Sequence, residues 1–194
     1  MKCVVLAYHN VGRAGIEALE RNGFEISAIF THKDNPSENI WFGSVAELAG
    51  ERGIPVFAPE EINHPVWIGR IRAMAPDFLF SFYYRDLVGE ELLSIPKHGC
   101  INLHGSLLPK YRGRVPINWA IINGEKESGV TTFLLNHEID KGAILCQQRV
   151  AIDEEDDAGT LHDKLMNAGT DLVIETIERI AAGAIAPVDQ QTIE

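Results

Sequence analysis

An amide and an imidazole stand two residues apart where an apolar run of the chain ends. Asn102 and His104 lie on either side of Leu103, so strand spacing predicts that their side chains share one face. In open α/β sheets, ligands bind at the carboxyl ends of parallel strands. An amide and an imidazole placed there could polarise a carbonyl group and move a proton at one carbon atom. From spacing alone, the alternative is a core histidine whose hydrogen bonds are simply satisfied.

Three cations follow this pair within five residues of one another. Lys110, Arg112 and Arg114 lie in a loop that also contains Gly and Pro. The chain as a whole is acidic, because 17 Lys+Arg stand against 28 Asp+Glu and give a formal net charge of −11. The loop predicts either a contact with an anionic ligand or an ordinary solvated surface, and the sequence favours neither.

The connection after the first apolar run is the natural phosphate site of a doubly wound fold. It reads Tyr8-His-Asn-Val-Gly-Arg-Ala-Gly15 and contains neither G-x-G-x-x-G nor G-x-x-x-x-G-K-[ST]. This argues against a dinucleotide-binding dehydrogenase. Asn10, Gly12 and the backbone N–H groups of this connection could still hold a phosphate of a substrate. A plain structural turn is the other interpretation.

The length and composition fit one ordinary globular domain, or one domain with a short extension. The chain has 194 residues, of which 45% are hydrophobic and 23% are charged. The acidic balance disfavours nucleic acid and anionic membranes as partners, because phosphate neutralisation needs a basic surface. Three widely spaced cysteines, no cluster with metal-ligand spacing and a short first apolar run indicate a cytoplasmic protein without a metal.

Apolar runs alternate with amphipathic stretches through the first half of the chain. Strands are predicted at 3–8, 24–31, 55–58, 78–82 and 100–103, and helices at 14–21, 44–52, 66–74 and 90–95. Short connectors between such elements produce right-handed crossovers and a parallel sheet that is covered on both faces. We therefore predict an α/β fold with a doubly wound, mostly parallel twisted sheet.

The second half changes character. A helix is predicted over 116–123, two longer antiparallel strands over 130–135 and 143–152, and a long amphipathic helix over 158–182. These elements add an antiparallel extension and a long C-terminal helix to the sheet. Residues 183–194 have little periodicity and predict a tail or a truncated linker, so that the folded domain is expected over 1–182.

The segment from Asn102 to Arg114 reads N-L-H-G-S-L-L-P-K-Y-R-G-R and is followed by P-I-N-W. It resembles the active-site signature of the 10-formyltetrahydrofolate-dependent formyltransferases. Further blocks are similar to the sugar-nucleotide branch of that family, namely A-Y-H-N, I-F-T-H-K-D-N-P, F-S-F-Y-Y-R and N-G-E-K-E-S-G-V-T. The resemblance covers residues 1 to about 182 and implies a Rossmann-like formyltransferase catalytic domain over them.

The resemblance implies a catalytic set of Asn102, His104 and Asp140. Asn102 would donate a hydrogen bond to the formyl oxygen as that oxygen gains negative charge. His104 would shuttle a proton from the attacking amine to the folate nitrogen. Asp140 would orient the imidazole and a water and would stabilise the cationic ring. The implied co-substrate is 10-formyltetrahydrofolate, and the implied reaction uses no metal.

The resemblance also assigns binding residues. The implied folate-binding residues are Asp86, Leu87, Val88, Arg114, Asn136, His137, Glu138, Ile139 and Asp140. Among them, Leu87, Val88 and Ile139 would supply apolar walls, whereas His137 by itself is interpreted as loop surface. The expected substrate-binding residues are Asn10, Gly12, Lys110 and Arg112.

The identity of the acceptor amine is the open question. The similar blocks favour a nucleotide-linked 4-amino sugar, above all UDP-4-amino-4-deoxy-L-arabinose, the acceptor of the branch associated with lipid A modification and polymyxin resistance. Glycinamide ribonucleotide is an alternative, although that branch carries a Gly-Asn-Gly-Ser-like phosphate loop where this chain has Tyr8-His-Asn-Val-Gly12. Methionyl-tRNA is disfavoured by the net charge of −11. A catalytically silent binding domain on the same scaffold is the last alternative.

The sugar-nucleotide and tRNA branches continue into a smaller C-terminal subdomain that has no counterpart in this sequence. We therefore expect either an excised core with further domains in the full-length protein, or a naturally short relative. The expected partners are two small molecules, the nucleotide sugar and the folate, with no nucleic acid and no membrane.

Overall fold

A computed structural model describes residues 1–33 and 42–193 of the chain. Within them the strands are β1 (Lys2–Ala7), β2 (Glu25–Phe30), β3 (Val56–Phe57), β4 (Phe78–Phe82), β5 (Cys100–His104), β6 (Glu127–Leu134) and β7 (Ile144–Ala151). The α-helices are α1 (His9–Arg21), α2 (Val45–Glu51), α3 (Pro65–Met74), α4 (Glu90–Leu93), α5 (Pro116–Ile122) and α6 (Ala158–Ala181). A short 3₁₀ helix follows at Gln190–Thr192.

The strands of the described residues form one sheet in the order β3-β2-β1-β4-β5-β6-β7. The pairs β1–β2, β1–β4 and β2–β3 are parallel, whereas β6 and β7 are antiparallel. The predicted fold class is confirmed: a mostly parallel sheet with helices, an antiparallel extension and a long C-terminal helix. The chain divides into two compact units, Met1–Ile101 and Asn102–Glu194.

The first unit is built on strands that are buried on both faces. Every residue of β4 is buried, and so are the last five residues of β1. Both runs are apolar almost throughout, which is the pattern of central strands in a parallel sheet. The two strands pair in register from Cys3 opposite Phe78 to Ala7 opposite Phe82.

Helix α1 begins five residues earlier than the sequence predicted. The helical spacing predicted a start at Ala14, but the chain turns from β1 directly into α1 at His9. His9 takes up a left-handed backbone conformation, with φ of 65°. Asn10 and Gly12 therefore lie in the first turn of a helix and not in a loop.

The second unit packs α6 against the antiparallel pair. Its buried cluster combines residues of α5, β6, β7 and α6, namely Ala120, Val130, Cys146, Leu161, Leu165, Ala168 and Leu172. Helix α6 begins at a capping box: the Asp157 carboxylate accepts from the N–H groups of Gly159 and Thr160, and the Thr160 hydroxyl accepts from the N–H of Asp157. The predicted amphipathic helix at this place is thus fixed at its start.

Ordered structure continues beyond α6 into the segment that the sequence predicted as a tail or linker. Val188 forms an antiparallel bridge with Ile144 of β7, with both N···O distances at 2.8 Å. Two residues later, Gln190 is only 2% exposed. The segment is mostly exposed but is attached to the second unit through Val188 and the buried Gln190.

Two features are absent from the residues that the structure describes, a membrane-spanning helix and a metal-binding cluster. None of their helices is both long and apolar enough to cross a membrane. None of their His, Cys, Asp and Glu side chains form a group of three or more that could hold a metal ion. Part of the I-F-T-H-K-D-N-P block, from Asp34 to Pro36, lies outside these residues.

Candidate active site

The last three side chains of β5 lie on two faces of the sheet. Leu103 packs against the buried cluster beneath α6, and its Cδ2 atom occupies the space that a Cβ at Gly169 would need. Because side chains alternate along a strand, Asn102 and His104 point to the opposite face. The packing of Leu103 on one face therefore places Asn102 and His104 together on the other, as the strand spacing predicted.

His104 is almost fully buried, with 8% of its surface exposed, and its ring stands edge-on to Phe133. Its Nε2 atom lies 2.9 Å from the backbone carbonyl oxygen of Tyr111. A carbonyl oxygen can only accept a hydrogen bond, so Nε2 carries a hydrogen. In the neutral ring, Nδ1 is then the atom with the free lone pair.

The carboxylate of Asp140 faces that second nitrogen. Its Oδ2 atom lies 3.6 Å from Nδ1 of His104, which is longer than a direct hydrogen bond. The Asp140 side chain is 13% exposed, so both groups are shielded from bulk water. The gap leaves room for a small adjustment or for one water between the two groups. When Nδ1 takes up a proton, the neighbouring carboxylate stabilises the resulting imidazolium.

A hydrogen bond from the loop after β5 holds Asp140 in a costly backbone conformation. Its φ is 53°, in the left-handed region that Asp tolerates better than most residues. Its Oδ2 accepts a hydrogen bond of 2.8 Å from the N–H of Gly113, in the loop after β5. The chain then turns at Gly142, where a Cβ would collide with the carbonyl oxygen of Leu134. The carboxylate thus has a fixed direction.

The loop after β5 is pinned by the hydroxyl of Thr131 in β6. This hydroxyl donates to the carbonyl oxygen of Ser106 at 2.7 Å and accepts from the N–H of Leu108 at 3.2 Å. Gln147 of β7 donates to the same hydroxyl and to the carbonyl oxygen of Leu108. The Leu108 side chain is buried against Phe133 and Ile144. The Ser-Leu-Leu-Pro part of the motif therefore anchors the loop to the sheet.

The phenol of Tyr111 fixes the carbonyl group that meets His104. Its hydroxyl donates to the Glu125 carboxylate at 2.6 Å and accepts from the Asn123 amide at 3.0 Å. The hydrogen bond to Glu125 raises the pKa of the Tyr111 phenol, so the hydroxyl stays protonated. Tyr111 has a φ of 56°, and this strained turn aims its carbonyl oxygen at the imidazole.

A family model for formyl transferases matches residues 1–177 of this chain. The chain belongs to the formyl transferase family. The prediction of an enzyme that transfers a formyl group from a folate donor is thereby confirmed.

Solved structures of formyltransferases share the fold. A phosphoribosylglycinamide formyltransferase from Bacillus halodurans is 26% identical with a TM-score of 0.81, and the alignment covers 95% of this chain and 97% of that one. An N-formyltransferase from Helicobacter canadensis, in complex with folinic acid and dTDP-3-aminofucose, is 26% identical with a TM-score of 0.75, covering 99% of this chain and 68% of that one. WlaRD, a sugar 3N-formyltransferase, is 22% identical with a TM-score of 0.78, covering 100% of this chain and 67% of that one.

The basic residues of the formyltransferase motif do not share one environment. Lys110 and Arg114 are exposed. The guanidinium of Arg112 donates from Nε and Nη2 to the side-chain oxygen of Gln190, at 3.0 and 2.7 Å. Arg112 is exposed as well, but two of its nitrogen atoms bind Gln190, so it also stabilises the internal structure of the second unit.

The loop from Asn136 to Asp140 presents an apolar side chain to its surface. The side-chain oxygen of Asn136 accepts from the N–H of Glu138 at 2.9 Å, which closes a local turn. Glu138 pairs with Lys141, and the hydrogen bond from that ammonium lowers the pKa of the Glu138 carboxyl. Ile139 is 64% exposed, and His137 is exposed beside it.

In the first unit, the turn after β4 is clamped by one amide. Asn63 donates to the carbonyl oxygen of Leu87 at 2.8 Å and accepts from the N–H of Gly89 at 2.7 Å. The Leu87 side chain is 72% exposed, Asp86 is exposed and Val88 is half-buried. The implied folate residues of this unit thus lie on a firmly held turn with an apolar side chain on its surface.

Next to this turn, the imidazole of His32 is held in its neutral form. Its Nε2 accepts a hydrogen bond of 3.0 Å from the backbone N–H of Arg85, and its ring stacks on Tyr84 at 4.2 Å. Burial lowers the pKa of His32, because it disfavours the charged ring. A protonated Nε2 could not accept this hydrogen bond.

Contacts within the first unit account for both residues of the predicted phosphate turn. The side-chain oxygen of Asn10 accepts from the N–H of Gly43 at 3.0 Å. A Cβ at Gly12 would lie 3.0 Å from the Cβ of Ala7, so glycine permits the close approach of α1 to β1. Binding of a substrate phosphate by Asn10 and Gly12 stays a prediction.

Sequence reasoning missed three groups that build the site. The Tyr111 carbonyl is a backbone group, and residue types give no signal for it. Thr131 lies in an ordinary strand pattern, and Gln190 lies in a stretch without periodicity. The strand of Thr131 also contains Glu127, Ser128 and Thr132, so a polar residue there gave no distinct signal.

Proposed function

We propose that this chain moves the formyl group of 10-formyltetrahydrofolate to the amine of a nucleotide-linked 4-amino sugar. The observation that carries the catalytic part is the pairing of His104 Nδ1 with Asp140 Oδ2 at 3.6 Å, in a chain of the formyl transferase family. In the reaction the amine nitrogen bonds to the formyl carbon, and the bond from that carbon to N10 of the folate breaks. One proton must leave the amine, and one must reach N10.

His104 is the proposed proton carrier. The Tyr111 carbonyl occupies Nε2, so the amine proton goes to Nδ1, next to Asp140. Asp140 stabilises the imidazolium until the proton is passed to N10, by way of a water where the distance requires one. General acid–base catalysis of this kind contributes about 10²–10⁴-fold to a rate.

Asn102 is the proposed donor to the formyl oxygen. It shares the face of β5 with His104 and is half-buried. Its amide N–H is therefore partly shielded from solvent. Electron density moves onto the formyl oxygen when the amine attacks. A donor placed at that oxygen is worth about 2.7–4 kcal/mol in the transition state.

Folate binding is proposed for the residues that the family resemblance assigns. In the second unit these are Arg114 and the stretch from Asn136 to Asp140, where Ile139 is 64% exposed. In the first unit they are Asp86, Leu87 and Val88, where Leu87 is 72% exposed. Exposed apolar side chains beside backbone polar groups suit a flat heteroaromatic ring.

For the acceptor, we propose a nucleotide sugar, and UDP-4-amino-4-deoxy-L-arabinose as its most specific form. The similarity of A-Y-H-N and F-S-F-Y-Y-R to the sugar-nucleotide branch supports this choice. Lys110 and Arg112 are the proposed contacts to substrate anions, together with Asn10 and Gly12. Charge reversal at Lys110 or Arg114 is expected to raise the Michaelis constant of the nucleotide sugar or of the folate, and two unchanged constants would refute the role of the basic loop.

Glycinamide ribonucleotide is the second candidate acceptor. One observation favours it: the alignment covers 97% of the phosphoribosylglycinamide formyltransferase from Bacillus halodurans, against 68% of the Helicobacter canadensis sugar enzyme. The first-turn sequence Tyr8-His-Asn-Val-Gly12 differs from the glycine-rich phosphate loop of that branch. We place the protein in the cytoplasm, where folate donors and nucleotide sugars are available.

A panel of acceptors tests the proposal. The protein is incubated with 10-formyltetrahydrofolate and, separately, with UDP-, dTDP- and GDP-linked 4-amino sugars and with glycinamide ribonucleotide, and products are read by mass spectrometry. We expect one added formyl group on a UDP-linked 4-amino sugar. Formylation of glycinamide ribonucleotide alone would select the second candidate. Folate binding without any formylated product would support a silent binding domain.

A further inference from the structure

The side chain of Gln190 joins the two loops that carry the proposed chemistry of the second unit. Its Oε1 accepts from Nε and Nη2 of Arg112, in the loop after β5. Its Nε2 donates to the carbonyl oxygens of Asp140 at 2.9 Å and of Gly142 at 2.7 Å. Gln190 itself is 2% exposed, whereas the hydrogen bonds to Arg112 and to the Asp140 carbonyl are partly buried and the one to the Gly142 carbonyl is fully buried.

The network uses the full capacity of one amide and permits only one orientation. An amide oxygen accepts two hydrogen bonds and an amide nitrogen donates two, and all four are made. A guanidinium can only donate and a carbonyl can only accept, so Oε1 must face Arg112 and Nε2 must face Asp140 and Gly142. Glutamate, which has a similar shape, could keep the contact with Arg112 but would lack both donors.

The carbonyl groups that Gln190 holds lie on both sides of Lys141, at the strained turn after the carboxylate. Asp140 has a φ of 53°, and such a conformation persists only when its surroundings fix it. The neighbour of Arg112 in sequence, Gly113, donates its N–H to the Asp140 carboxylate at 2.8 Å. The same two loops are therefore linked twice, once directly and once through Gln190.

We propose that Gln190 is a positioning residue, which keeps the Asp140 carboxylate in place beside His104. The segment 184–193 then belongs to the working unit of the enzyme, because it delivers this side chain. The bridge between Val188 and Ile144 fixes the segment two residues before Gln190. The effect on turnover rests on the proposed formyl transfer, whereas the effect on the Asp140 loop does not.

Three variants of the full chain test the inference. Gln190→Met removes all four hydrogen bonds at similar volume, Gln190→Glu removes only the two donors, and Gln191→Met is the matched control at the exposed neighbour. The first readout is amide hydrogen exchange at Gly113, which reports whether the Asp140 carboxylate stays in place. The second is kcat per folate-binding site and both Michaelis constants, with the acceptor that the wild type formylates.

We expect faster exchange at Gly113 in both Gln190 variants and wild-type exchange in Gln191→Met. We expect kcat to fall by about 10-fold to 100-fold with little change in either Michaelis constant. A catalytic group that is misplaced by about 1 Å can lower the rate by about 100-fold. A merely structural role would lower the number of active sites and not kcat per site. Unchanged Gly113 exchange, or unchanged kcat in folded Gln190→Glu, would overturn the inference. If Gln190→Met does not fold, the result with Gln190→Glu tests the inference. If the wild type forms no product, hydrogen exchange at Gly113 alone tests it.

Discussion

The backbone carbonyl oxygen of Tyr111 lies 2.9 Å from Nε2 of His104, and this contact determines which ring nitrogen can exchange a proton. Nε2 must carry a hydrogen toward that oxygen. Nδ1, which faces Asp140 at 3.6 Å, is therefore the nitrogen that would gain and lose a proton in the proposed reaction. The tautomer of the neutral ring does not depend on Asp140. This separates two tasks that one carboxylate performs in many catalytic triads.

That separation predicts a moderate effect for Asp140→Asn. Asparagine tolerates the left-handed conformation of residue 140 and can still accept from the Gly113 N–H, but it carries no charge. Loss of a charged partner for the imidazolium is expected to lower kcat by about 10-fold to 100-fold, since hydrogen bonds to charged groups are worth about 1.5–3 kcal/mol. Steady-state kinetics measure this. A loss as large as that of His104→Ala would show that Asp140 does more than stabilise charge.

For Asn102→Ala, we expect a loss that appears in kcat and not in folate binding. Removal of a donor to a developing oxyanion lowers kcat by about 10²–10³-fold. Titration with folate, followed by fluorescence or calorimetry, provides the control, because the ground-state carbonyl needs the donor much less. Equal turnover in the wild type and the variant would remove Asn102 from the mechanism.

The neutral state of His32 predicts a pH dependence of stability. The pKa of His32 is lowered in the folded chain by burial, whereas the unfolded ring titrates near the usual value of about 6.5. Below about 6.5 the unfolded state binds a proton that the folded state resists, so the free energy of unfolding falls as the pH falls. Urea denaturation at a series of pH values from neutral downward measures the slope.

The variant His32→Gln is expected to reduce this slope, because its amide oxygen can accept from the Arg85 N–H without titrating. His137→Gln, which removes an exposed imidazole, is the matched control to which its slope is compared. A slope that is equally steep in His32→Gln would assign the pH dependence to other groups.

The capping box of α6 makes a further prediction about stability. Asp157→Ala removes the acceptor of two N–H groups at the start of α6 and should lower the free energy of unfolding by about 0.5–2 kcal/mol. Glu155→Ala, at an exposed acidic neighbour two residues earlier, is the control for the loss of one charge. Thermal unfolding of both variants compares them. A matching decrease in both would attribute the effect to charge and not to the cap.

Much of the fold could be read from hydrophobic patterning, and the site only in part. The apolar run at β1 predicted a strand buried on both faces and the run at β4 predicted a strand, and the structure buries both. Helix α1 was started too late because a strained residue, His9, turns the chain without a glycine. Patterning reports the average environment of a segment and does not report such single turns.

The positions of Asn102 and His104 on one face followed from strand alternation, whereas their surroundings did not. The hydrogen bond from Nε2 goes to a backbone oxygen, and the loop of Asp140 is held by Gln190 from a distant part of the chain. Contacts of this kind join residues far apart in sequence and have no local signature. The family match placed the chain among formyltransferases, and the acceptor stays a matter for experiment.

The rate of formyl transfer by His104→Ala, measured with folate binding determined separately, tests the central claim most directly. The account predicts that turnover falls by about 10²–10⁴-fold, because the proton carrier is lost, while 10-formyltetrahydrofolate still binds. His98→Ala, which removes an exposed imidazole outside the proposed site, is the matched control and should leave the rate unchanged. Turnover by His104→Ala equal to that of the wild type would contradict the account.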